Sequence, residues 1–63
     1  MRQINLRTLR EAAGLSQGEL AEKSKVPRET ICRIECGHQS PTVETLEALA
    51  KALGITTAAL LPS

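Results

Sequence analysis

The stretch "VPRETICRIECG", residues 26–37, places two thiols, two arginines and two carboxylates within twelve positions, and His38 follows directly. Three chemistries are open to such a set: metal ligation, thiol redox, or polar contact with a partner. Cys32, Cys36 and His38 give the spacing C-x3-C-x-H, which is not a structural zinc pattern. With one histidine in the chain, no four-ligand set is completed, and neither a metal site nor a cofactor is expected. A disulfide is also awkward. Residues four apart on a helix hold their Cβ atoms ~5–6 Å apart, whereas a disulfide needs ~3.8 Å. The bland reading is two small side chains on a helix, Cys36 lining its end. A thiol-responsive regulator stays open as an alternative.

The charges fit a surface. Pro27 suits the first position of a helix and Gly37 suits its stop, which predicts a helix over about 27–36. Ile31 and Ile34 set the inward direction. At about 100° per residue, the opposite side presents Glu29, Cys32, Arg33 and Cys36, with Arg28 at its edge and in the first turn. Thr30 falls to the side. For each of these side chains, a plain solvated helix face is the competing explanation.

The elements that must hold this helix are short and punctuated. A first helix over about 4–13 carries Leu6, Leu9 and Ala13 on one stripe and stops at Gly14. "SQGE", residues 16–19, has the form of a capping box and starts a second helix over about 17–23. After the polar loop "HQSP", Thr42 caps a helix over about 43–53, with Val43, Leu46, Leu49, Ala50 and Leu53 at helical spacing and Gly54 closing it. "ITTAALL" makes a last turn or two over about 57–61. The chain has no Phe, Tyr or Trp, so the core is built from aliphatic residues and favours close-packed helices over a sheet. At 63 residues it is expected to form one all-α domain, 1–63, of five short helices, near the lower size limit for folding unstapled.

Composition alone names no partner. The net charge is +1, and the bias between residues 1–38 (+2) and 39–63 (−1) is slight. No apolar run reaches the ~20 residues of a membrane helix, and no apolar leader is evident. A cytoplasmic protein with reduced thiols is expected. No catalytic constellation is recognisable, so an enzyme is not expected.

The order short helix, tight turn, short helix is that of a helix-turn-helix, although periodicity alone leaves a featureless small bundle nearly as open. The landmarks Leu9-Arg10, Gly14-Leu15-Ser16-Gln17, Leu20-Ala21, Val26, Ile31, Ile34-Glu35, Gly37, Pro41, Leu49-Ala50 and Leu53-Gly54 add to it. Taken together at these spacings, they make the chain resemble the XRE (Cro/repressor-type) helix-turn-helix family along nearly its whole length. The resemblance implies a phage-repressor type of DNA-binding fold and a transcriptional regulator, with repression the expected sense. It also implies a homodimer on a pseudo-palindromic double-stranded operator, with half-sites ~34 Å apart.

Under that reading, Arg28 can fork onto guanine O6 and N7, and Glu29 can accept from a cytosine amino group. Cys32 can lie against a thymine methyl, and Arg33 can reach a base or a phosphate. Gln17, which begins the second helix beside free backbone N–H groups, takes the family's phosphate-anchoring role. His38, Gln39 and Ser40 are expected to add phosphate contacts, with a plain connecting loop as the alternative. The resemblance further implies an interhelical ion pair between Arg10 and Glu35, which the angular count puts at the margin of the inward stripe. Ile55, Leu60 and Leu61 are the expected dimer contacts, with core closure as the alternative. At position 27 the family commonly has Ser or Thr, and Pro27 lacks both a hydroxyl and an N–H to give to DNA. The alternative function is a protein-interaction module such as an antitoxin or adaptor. Nothing in the sequence marks a toxin-binding extension beyond "AALLPS".

Overall fold

The computed structural model describes residues 4–61; residues 1–3 and 62–63 of the expected span lie outside the described part. Five helices follow one another: α1 (Leu6–Ala12), α2 (Gln17–Ser24), α3 (Arg28–Glu35), α4 (Val43–Leu53) and α5 (Thr57–Leu60). No strand occurs among the described residues. α2 packs on both α3 and α4, α4 carries α5, and α1 rests against α3.

Local sequence fixes most of the helix ends. Ser16 Oγ accepts the Glu19 N–H at 3.1 Å while the Ser16 N–H donates to Glu19 Oε1 at 2.8 Å, closing the capping box. The two bonds to Ser16, first from its backbone and then from its side chain, hold the Glu19 carboxyl below its ordinary pKa. Thr42 and Thr56 cap α4 and α5 through their hydroxyls, which accept the N–H groups of Thr45 and Ala59. Gly37, at φ +79°, takes the left-handed turn that ends α3 and lets the His38 N–H reach the Arg33 carbonyl at 2.9 Å. α2 ends differently. Lys25 adopts φ +65° without being glycine, and the buried Ser24 hydroxyl ties the turn together. It donates to the Leu20 carbonyl at 2.7 Å and accepts the Val26 N–H at 3.2 Å.

The core is Leu6, Leu20, Val26, Ile31, Ile34, Leu49, Ala50 and Leu60, with Leu9, Leu15, Leu46, Leu53 and Ile55 packed at its edge. Two expected inward positions turn out exposed. α1 stops at Ala12, so Ala13 sits in the C-cap and points out, and the inward place one turn after Leu6 belongs to Arg10. Val43 is 70% exposed, because the first turn of α4 extends past the core that Leu49 and Ala50 enter. Helix α3 begins one residue later than expected. Pro27 is its N-cap (φ −56°, ψ 140°), and the Pro27 carbonyl accepts the first helical bond from Ile31 at 3.1 Å.

Gly18 lies in the first turn of α2, where an added Cβ meets nothing nearer than Ser16 Oγ at 3.9 Å. Its φ is not in the left-handed region. Gly18→Ala is therefore expected to stabilise the fold by roughly 0.5–1 kcal/mol, through helix propensity and a less disordered unfolded chain. A higher urea midpoint with an unchanged slope is the measurement that checks it.

Candidate nucleic-acid interface

Three helices build the site. α3 is anchored by Ile31 and Ile34, which are 0% and 2% exposed. Its other side presents Arg28, Glu29, Cys32, Arg33 and Cys36 to solvent, while Thr30 is half-buried. An open cleft of about 420 Å³ runs where the start of α2 meets α3, lined by Gln17, Arg28, Glu29 and Cys32. Three expected base-edge residues and one expected phosphate anchor thus share one concavity. Arg33 joins them through an ion pair with Glu29, Nη2 to Oε1 at 2.6 Å. Arg28 has no ion-pair partner among the described residues, so its guanidinium is available to a ligand.

Behind this face, Arg10 and Glu35 lock α1 to α3. Arg10 Nε donates to Glu35 Oε2 at 2.7 Å, and Nη2 donates to Oε1 at 3.0 Å, a two-pronged pair. The side chains are 10% and 5% exposed. Arg10 Nη1 also donates to the Leu15 carbonyl at 2.8 Å, and Gln17 Nε2 donates to Glu35 Oε1 at 3.0 Å. No buried polar side-chain atom among the described residues is left unpartnered. Desolvation pushes the Glu35 carboxyl up, but the bonds from Arg10 and Gln17 and the Arg10 charge outweigh it, leaving the pKa below the ordinary value of 4.5. The bond to Glu35 likewise holds the Arg10 guanidinium firmly protonated.

Gln17 is thereby tied from below as well as facing the cleft. One amide proton is committed to Glu35, and the other remains for an external acceptor. The spacing of Gln17 and Glu35 in the sequence carries no signal that they meet. The Leu15 carbonyl was equally invisible, because a backbone acceptor leaves no mark in residue type.

His38, Gln39 and Ser40 are exposed in the loop that follows α3 and do not line the cleft. Both cysteines are free and exposed. The neighbouring Cys32 thiol, one helical turn away, pushes the Cys36 thiol above its ordinary pKa. Among the described residues, no three His, Cys, Asp or Glu side chains gather as a metal site. At the far end of the chain, one expectation needs correcting. Leu60 is wholly buried in the chain's own core and is not available to a second copy, whereas Leu61 is 49% exposed and Ile55 is half-buried.

Residues 6–60 match the family model described as helix-turn-helix. The chain belongs to the helix-turn-helix family. This helix-turn-helix chain is 38% identical over 55 residues to the immunity repressor protein of Bacillus phage phi105, covering 87% of this chain and 38% of the phage protein. It spans little more than a third of that relative's length. It is 43% identical over 49 residues to an uncharacterized HTH-type transcriptional regulator of Methanothermobacter thermautotrophicus, covering 78% of this chain and 71% of that one.

Among solved structures, the restriction-modification controller protein C.AhdI from Aeromonas hydrophila superposes with a TM-score of 0.87 at 37% identity. The match covers 90% of this chain and 86% of the controller. A hypothetical transcription factor from Neisseria, NHTF, gives a TM-score of 0.83 at 32% identity, over 92% and 66% of the two chains. No helix among the described residues is long and apolar enough to cross a membrane.

Proposed function

We propose that this chain is a sequence-specific, double-stranded-DNA-binding transcriptional regulator that seats α3 in the major groove and represses from a pseudo-palindromic operator. The observation that carries the reading is the exposed Arg28–Glu29–Cys32–Arg33 face on a helix held by the buried Arg10–Glu35 pair. A recognition helix needs both parts: side chains free to meet base edges, and an orientation that does not drift. Arg28, Glu29, Cys32 and Arg33 are the base-edge residues. Gln17 and the exposed His38–Ser40 loop take the phosphates. The protein works in the cytoplasm as a homodimer, whose contact uses Leu61 and the edge of Ile55.

Selection from random duplexes at a fixed, stated salt concentration tests the proposal, because salt sets much of any DNA affinity. The expected result is an enriched motif with two half-sites about one turn, ~34 Å, apart. Arg28→Ala is expected to lose about 5- to 150-fold on the selected site, the range of ~1–3 kcal/mol for a two-pronged base contact. It should lose much less on unrelated DNA. A pool with no enriched motif would favour the protein-interaction alternative instead.

A further inference from the structure

The Glu29–Arg33 pair sits where a DNA-binding surface has least use for a carboxylate. On α3 the other carboxylate, Glu35, is turned inward to Arg10 and Gln17, so Glu29 is the one acid on the outward strip. Its side chain is 75% exposed and that of Arg33 is 56% exposed, yet they meet at 2.6 Å one helical turn apart. Paired, they cancel. The strip then offers phosphates chiefly Arg28, and the net charge that would attract any DNA sequence is lowered by one.

We propose that Glu29 and Arg33 read DNA as one unit, and that Glu29 is the specificity-determining member. This rests on the operator-binding reading above. Glu29 Oε1 is occupied by Arg33, and Oε2 makes no side-chain hydrogen bond among the described residues. That free oxygen can accept from an amino group and is repelled by acceptors. In the major groove, cytosine N4 and adenine N6 donate, whereas guanine O6 and N7 and thymine O4 do not. Arg33 spends one of its five N–H groups on Glu29 and keeps the rest for the acceptor pair of guanine.

One helical turn rises 5.4 Å against 3.4 Å per base pair. The two contacts therefore fall within about two base pairs, and the unit selects a guanine for Arg33 with the amino group of a cytosine or an adenine beside it. Where that pattern is absent, Glu29 faces an acceptor and Arg33 stays bound to Glu29. The pair lowers affinity for the wrong sequence more than it raises affinity for the right one.

Glu29→Gln tests this in the full chain, with selection and a salt series run side by side on wild type and variant. The fold should persist, because an exposed pair of this spacing contributes little to stability, and the unfolding midpoint checks it. The variant is expected to bind random duplex more tightly, with a log–log salt slope steeper by about 0.9 as Arg33 turns to a phosphate. Its selected motif should lose about tenfold discrimination at the guanine and at the neighbouring amino-bearing base while keeping the Arg28 position. Arg33→Lys should lose the same guanine preference without steepening the slope. An unchanged motif and an unchanged slope in Glu29→Gln, on a wild type that does select a motif, would overturn the coupled reading and leave the operator-binding one standing. A wild type that selects nothing would remove both.

Discussion

Arg10→Ala is expected to cost about 3–5 kcal/mol, the usual penalty for stripping one partner from a buried ion pair. That penalty applies because the Glu35 side chain is 5% exposed and would be left with Gln17 as its remaining side-chain hydrogen-bond partner. A chain of this length holds about 3–9 kcal/mol in all, so the loss is a large share of the total and the urea midpoint of the variant should fall far below that of wild type. Replacing both partners with apolar groups of similar volume, Arg10→Met with Glu35→Leu, should restore most of the loss, since no lone charge is then buried. Recovery of the urea midpoint in the double variant separates a penalty of isolation from a net gain by the pair. An unchanged urea midpoint in Arg10→Ala would mean that water reaches Glu35.

The same pair sets an acid limit. Glu35 titrates below 4.5 in the folded chain, so the unfolded chain takes up that proton first. The stabilisation is complete above the unfolded value and is lost as the pH falls through the folded one. Glu19 is shifted the same way by its bonds to Ser16 and adds to the slope. The Arg10→Met, Glu35→Leu variant keeps Glu19. The difference in urea midpoint between it and wild type, followed from pH 6 to pH 3, therefore isolates the Glu35 contribution. Wild type should be the steeper of the two.

The signals legible in the sequence are local. α4 fell at residues 43–53 as expected because both its signals are adjacent in sequence, a Thr42 cap and a Gly54 stop. The outward strip of α3 followed from two isoleucines and the pitch of a helix. Arg10 was different. Its inward place one turn from Leu6 looks like an error in an apolar pattern, and periodicity chose Ala13 instead. The ion pair came only from family resemblance, since its partner is 25 residues away and on another helix. The Gln17 and Leu15 links to the same network are tertiary facts with no local trace. The apolar tail was the least legible part, because a short run such as "ITTAALL" reads alike whether it closes a core or meets a partner.

A non-local bond decides that last case. The Asn5 N–H donates to the Leu60 carbonyl at 2.8 Å, and Asn5 Nδ2 reaches the Leu61 carbonyl at 3.4 Å, so the two ends of the described chain clasp each other. This turns the Leu60 side chain into the core at 0% exposure, beneath Leu61 at 49%. Leu60→Ala is accordingly expected to cost about 2–5 kcal/mol through lost burial and the cavity left behind. The loss should be the same at low and high protein concentration, because the contact lies within one chain. Leu61→Ala should barely move the unfolding midpoint of dilute protein. If Leu61 serves the dimer, its effect grows as concentration rises, since association adds stability by mass action. A Leu60→Ala penalty that faded on dilution would return Leu60 to the interface and undo the packing assigned to α5.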